Sequence, residues 1–446
     1  MINSQDVTGG QASAFSKSAD PSNPKKEVSR RQIIFAAAFG NFVEFFDFTV
    51  FATFAVIIGK VFFPSGDSAT DLLSALATFG VGFFMRPVGG VVIGYYADKI
   101  GRKPAMILTL SLMTISTLMI ACAPSYALAG VWGAVILVLA RLLQGFAAGG
   151  EVGASTSMLV EAAPKNRRGL YSSWQLATQG GSTMFGGILA TILFATLDAE
   201  QMSSWGWRIP FAIGAILGPI GLILRLRIEV VAEEPKAEQK AIETESSFSL
   251  LIQHFKPIIL GVLLTIGSTI SIYLSLYFYS TLGAKFLNIS STYTSAAILM
   301  TGFINLVLSP VAGYLSDIYG RKPLIIISRW LMLVFAVPSF WLLVNWPTPV
   351  VLFFVVIVMA SIATIAAAPS VLMISELFPR KIRALAFSIV YSVGVAIFGG
   401  FAQFFATELI VLTESYISPS IYMIFGCLVS IIALIYIEDQ YKNDLK

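Results

Sequence analysis

The chain has 446 residues, is 56% hydrophobic and only 12% charged, and carries a net charge of +4, with a mean hydropathy of +0.80. A soluble domain is about 25% charged, so this composition excludes an ordinary soluble fold and implies surface that faces lipid. Small net charge with basic residues in short loops excludes a nucleic-acid-binding face, and Cys122 and Cys427 inside apolar runs exclude a disulfide framework.

Residues 1–30 are polar and lack the apolar core of a signal peptide, so they read as a disordered cytoplasmic tail. Twelve apolar runs come after it, each long enough for a transmembrane helix: 32–59, 70–97, 104–123, 129–162, 170–196, 207–225, 256–283, 292–316, 323–345, 348–375, 383–407 and 417–437. The tail, the loops after even-numbered spans, the central segment and residues 438–446 hold most of the 29 basic residues, and the opposite loops hold only Lys60, Arg208 and Lys285. By the positive-inside rule both termini are cytoplasmic, as expected in a plasma (inner) membrane.

The segment Gly94–Pro104, with Asp98 and Arg102, returns 219 residues later as Gly313–Pro323, with Asp317 and Arg321. A second repeat relates Glu161, Pro164 and Arg168 to Glu376, Pro379 and Arg383. Repeats of this kind mark the two halves of a secondary transporter. The acidic and basic segment 226–255 reads as a linker between six-helix halves at 31–225 and 256–437.

Charges at depth are costly in lipid and are functional candidates. The first half has Glu44, Asp47, Arg86, Arg141 and Glu151, whereas Lys285, Arg329 and Glu376 of the second half fall near span ends. Glu44 lies about 18 Å along span 1 and Asp47 shares roughly its face, while Arg86 lies about 24 Å along span 2, beside Pro87. Arg86 or Arg141 suits a carboxylate clamp, and Asp47, Glu44 or Glu151 suits proton binding and release. The competing reading is that these charges pair permanently and only join helices. Gln175, Gln179, Tyr273, Tyr277, Asn305, Tyr391 and Gln403 are uncharged candidates for substrate contact or helix–helix bonds. The lone His254 cannot form a metal site alone, and no strand precedes a Gly-rich run, so neither metal nor cofactor is expected.

The Asp98 loop, Gly40-Asn41-x-x-Glu44-x-x-Asp47 in span 1 and Arg141-x-x-Gln144-Gly145-x-x-x-Gly149-Gly150-Glu151 in span 4 resemble the major facilitator superfamily, in particular its metabolite:proton symporters. That branch carries citrate, 2-oxoglutarate, shikimate and proline/betaine. The resemblance implies an all-α fold of two pseudo-symmetric six-helix bundles. It also implies alternating-access symport of a proton with a small organic anion, probed most simply as a di- or tricarboxylate, by a monomer in the bilayer. It gives Asp98, Arg102, Glu161, Arg168, Asp317, Arg321, Glu376 and Arg383 the role of a charge lock on the cytoplasmic rim. A carrier of zwitterionic osmolytes or polyols, an organic-acid exchanger, and a metabolite-binding membrane sensor are the alternatives. No nucleophile or cofactor motif favours an enzyme.

Overall fold

The computed structural model describes residues 30–100, 102–149, 156, 159–160, 163–227, 251–379 and 382–441. Glu151, Glu161, nearly all of the N-terminal tail and most of the central linker lie outside the described residues; of Asp98 and Arg102 only the helical backbone is described.

Twelve helical spans run up and down. They are α1 (30–62), α2 (Ser68–Ile100), α3 (Arg102–Cys122), α4 (Val131–Gly149), α5 (168–196), α6 (199–227), α7 (Phe255–Lys285), α8 (Ser291–Tyr319), α9 (Arg321–Asn345), α10 (Pro349–Glu376), α11 (383–413) and α12 (Pro419–Tyr436). Nine of the described helices are long and apolar enough to cross a membrane, and α1 makes a tenth across a 66° bend between Phe39–Thr53 and Ala55–Phe62. Large side chains such as Leu128, Trp132 and Val350 stand exposed on the outer surface. Trp132, Trp205 and Trp346 gather at the face opposite the termini, as aromatic residues do at a membrane interface.

Glycines set how closely the helices approach. A Cβ at Gly82, Gly89, Gly145 or Gly149 would strike backbone of the facing helix, so α2 and α4 touch main chain to main chain. The same holds between the halves: Gly180 and Gly187 of α5 meet the backbone of α8, and Gly302 of α8 meets Met184 of α5. A second seam joins α2 to α11 through Gly80 against the Phe401 ring and Gly400 against the Phe83 ring, each about 2.7 Å from the Cβ position.

Three spans contain π-turns, at Met202–Gly206 in α6, Leu274–Phe278 in α7 and Val395–Gly399 in α11. Each adds a residue to a turn and rotates the part of the helix beyond it. The two in the second half lie beside the central cavity.

An aromatic-lined cavity with charges behind its walls

The cavity lies between the halves and offers about 60 Å³ to the centres of water-sized spheres, several times what one water needs. From the first half Phe45, Phe48, Phe79, Leu176, Gln179 and Thr183 face it. From the second half come Tyr273, Tyr277, Asn305 and Tyr391, and a hydroxyl-bearing wall of Thr265, Ser268, Thr269 and Ser370. Among the described residues no charged side chain lines it.

Of the uncharged candidates, Gln179, Tyr273, Tyr277, Asn305 and Tyr391 therefore meet at one place. Gln175 and Gln403 lie elsewhere. Gln175 donates to Asn41 Oδ1 (3.1 Å) while its carbonyl accepts from Asn41 Nδ2 (2.7 Å), tying α5 to α1. Gln403 accepts from Thr281 across α7 and α11 (2.9 Å). Tyr277 links the halves: its hydroxyl shares hydrogen bonds with Thr49 (3.0 Å) and Thr183 (3.2 Å).

The first-half charges sit one layer behind the aromatic wall. Arg86 donates to Glu44 (2.8 Å), both fully buried. Its guanidinium carbon lies 4.8 Å from the Phe48 ring centre and 4.5 Å from that of Phe83. Arg141 lies over Phe48, Phe51 and Phe79 at 4.8, 4.4 and 5.0 Å. Such desolvated contacts contribute about 2 kcal/mol each. Phe48 thus separates both arginines from the cavity. No sequence motif announced this wall, although the i,i+3 pair Phe48/Phe51 and the i,i+4 pair Phe79/Phe83 carry its helical spacing.

Asp47 is held by a chain of neutral donors. Thr117 donates to its Oδ2, Gln144 donates to the same oxygen (3.2 Å), and Arg141 donates to Gln144 (2.6 Å). Asp47 Oδ1, Arg86 Nε and Nη1, and Arg141 Nε and Nη2 are buried without a hydrogen-bond partner among the described residues. The site therefore retains capacity for a proton on Asp47 and for further acceptors at both arginines. Thr117 and Gln144 orient Asp47 although hydropathy gave no hint of either.

One expectation is corrected. Arg329 does not lie at a span end: it is eight residues inside α9 and fully buried, bonded to Ser268, Ser271 and Ser430. Hydropathy alone put it near the rim because α9 begins two residues before the apolar run does.

At the face carrying the termini, Asp317 of α8 accepts from the backbone N–H groups of Gly169 (2.8 Å) and Leu170 (3.0 Å), capping the start of α5 across the halves. Arg321 bonds Glu376 at 3.1 and 3.2 Å and approaches Asp317 at 3.4 Å; Arg168 stands 3.9 Å from Glu376. Arg383 is buried at the start of α11. Gly169 and Gly313 lie so close that a Cβ on either would strike the other's carbonyl. On the opposite face Ala55, Leu72 and Leu76 pack with Val56, Phe286 and Phe404 of both halves. Contacts between the halves thus lie on both sides of the cavity.

A cavity lined by aromatic rings and a row of hydroxyls, between two helical halves that meet on glycine seams, is the arrangement of a secondary transporter. The Major Facilitator Superfamily profile matches residues 37–304 and 262–445. The chain belongs to that superfamily. It is 34% identical over 398 residues to a citrate-proton symporter of Klebsiella pneumoniae, covering 89% of each chain. It is 34% identical over 391 residues to an alpha-ketoglutarate permease of Escherichia coli, covering 85% of this chain and 88% of that one. A glycine betaine/proline/ectoine/pipecolic acid transporter of Dickeya dadantii is 31% identical over 428 residues, with 93% and 85% covered. A solved D-xylose–proton symporter shares the fold, with a TM-score of 0.75 at 22% identity over 93% of this chain and 99% of that one.

Proposed function

We propose that this protein is a proton-coupled symporter of a small di- or tricarboxylate, working as a monomer in an inner membrane with both termini cytoplasmic. The observation that carries the reading is Asp47, a fully buried carboxylate with one bare oxygen, joined to Arg141 through Gln144. A carboxyl group so placed can lose its proton when water reaches it and regain it when sealed, because burial disfavours its charged form. The arginines supply positive field from behind the wall, and the relatives named for citrate and 2-oxoglutarate support an organic anion as cargo. Residues 31–225 and 256–437 would rock about the cavity, with the Asp317–Glu376 cluster parting and re-forming at the cytoplasmic rim.

Proteoliposomes test this. Labelled citrate or 2-oxoglutarate should accumulate when the outside is made acidic and stop accumulating when a protonophore is added. Accumulation that ignores the pH gradient would reject proton symport; no uptake of any carboxylate would reject the substrate class. A second reading has its own support. The aromatic residues Phe45, Phe48, Phe79 and Tyr273 line a cavity free of charge among the described residues, a setting that suits a quaternary ammonium group. Glycine betaine uptake in the same vesicles separates the two.

A further inference from the structure

Arg329 is the buried charge that this transport scheme leaves unused. It lies about 12 Å along α9, with no surface exposed. Its Nε, Nη1 and Nη2 donate to the hydroxyls of Ser430 (3.2 Å), Ser271 (3.0 Å) and Ser268 (2.7 Å). Ser268 and Ser271 pass their own protons to the carbonyls of Leu264 (3.1 Å) and Gly267 (2.7 Å), so their lone pairs face the guanidinium. The group is satisfied as a donor yet has no carboxylate within 4 Å among the described residues. Arg86 has Glu44, Arg321 has Glu376, and Arg141 reaches Asp47 through Gln144. Arg329 alone of these is solvated only by neutral groups. Leaving a cation buried this way is strongly unfavourable, and an anion nearby would relieve it.

The cavity supplies the place for that anion. Ser268 both binds Arg329 and lines the cavity, so one side chain separates the charge from a ligand. Thr265 and Thr269, before and after it in α7, line the same wall. The Thr269 hydroxyl is buried without a hydrogen-bond partner among the described residues, and is free to donate to an acceptor in the cavity. Arg86 and Arg141 each have an acid nearby, Glu44 directly and Asp47 through Gln144, whereas Arg329 has none among the described residues.

We infer that Arg329, acting through Ser268, is the counter-charge for a substrate carboxylate seated against Thr269 on the second-half wall. This rests on the organic-anion reading above. A substrate with two or more carboxylates would bridge the halves, with one end on this wall and the other toward the Arg86 and Arg141 side.

The test uses the full-length protein in nanodiscs, with binding of citrate, 2-oxoglutarate and glycine betaine measured by calorimetry and by ligand-dependent melting. Arg329→Gln should weaken citrate and 2-oxoglutarate at least tenfold, and melt without ligand no lower than the parent, since an uncompensated charge has gone. Ser268→Ala and Thr269→Val should each weaken the carboxylates severalfold. Unchanged carboxylate affinity in Arg329→Gln overturns the inference, as does a large drop in melting temperature with unchanged affinity, which would make Arg329 only a clamp joining α7, α9 and α12. If Arg329→Gln does not purify, parental carboxylate affinity in Ser268→Ala and Thr269→Val overturns it equally. A parent protein that binds zwitterionic glycine betaine but neither citrate nor 2-oxoglutarate rejects the organic-anion reading itself, an outcome distinct from parental affinity in the variants.

Discussion

Among the described residues, the charges deep in the first half face one another, whereas Arg329 of the second half faces only neutral groups. In the first half α1 supplies two acids, and α2 and α4 supply the matching arginines: Glu44 with Arg86 directly, Asp47 with Arg141 through Gln144. In the second half Arg329 stands among serines. Pseudo-symmetric halves thus share a helix arrangement without sharing electrostatics. In the proposed scheme the first half holds the group that titrates and the second a polar surface for cargo.

The sharpest way to break the comparison is to unbalance the first half. Glu44→Gln leaves the Arg86 guanidinium facing Phe48 and Phe83 without its carboxylate, and should destabilise the fold by about 3–5 kcal/mol. Glu44→Gln combined with Arg86→Met should recover most of that loss in denaturation experiments; no recovery would mean that Arg86 is not the group destabilised.

Asp47→Asn removes the proposed proton site and keeps the shape. Uphill accumulation in an imposed pH gradient should fall about a hundredfold, while exchange of internal for external substrate continues, because exchange need not pass through the empty carrier. Retained accumulation would shift the proton site to Glu44 or Glu151.

Gly313→Val tests the closed face. The added side chain strikes the Gly169 carbonyl and should disfavour the closed form by about 1–3 kcal/mol. Cysteines placed near residue 170 should then be labelled faster from the side that bears the termini. Equal labelling rates would show that this glycine contact does not control closure.

Tyr277→Phe should have the smallest effect. It removes bonds to Thr49 and Thr183, weakening the tie across the cavity by about 1 kcal/mol, seen as a severalfold change in the KM for uptake with little change in melting temperature. A melting temperature lowered more than the KM is raised would make this tyrosine a structural tie.

Much of the architecture depends on local physics, and was therefore legible in the sequence. Apolar runs report span length because each helical residue rises about 1.5 Å, so nine of the twelve expected spans agree with the helices to within three residues; α6 starts eight residues earlier than its apolar run, α11 ends six residues later, and the expected end of span 4 lies outside the described residues. Depth along a helix also reads from residue count, which singled out Glu44, Asp47, Arg86 and Arg141 before any contact was known. Facing direction does not read this way. The π-turns at Leu274–Phe278 and Val395–Gly399 rotate the residues beyond them by an extra increment of about 100°, which no periodicity argument over α7 or α11 anticipates. Close approach on glycine brings α2 to α4 and α5 to α8, and that packing decides that Gln179 faces the cavity while Gln175, one helical turn earlier, faces Asn41. Only the tertiary structure could put Phe48 between two arginines and the cavity, or surround Arg329 with serines from α7 and α12, because Phe48 is 38 and 93 residues from those arginines and the serines are 58 to 101 residues from Arg329. Hydropathy is a property of a segment; the environment of a buried charge is a property of the helices packed around it.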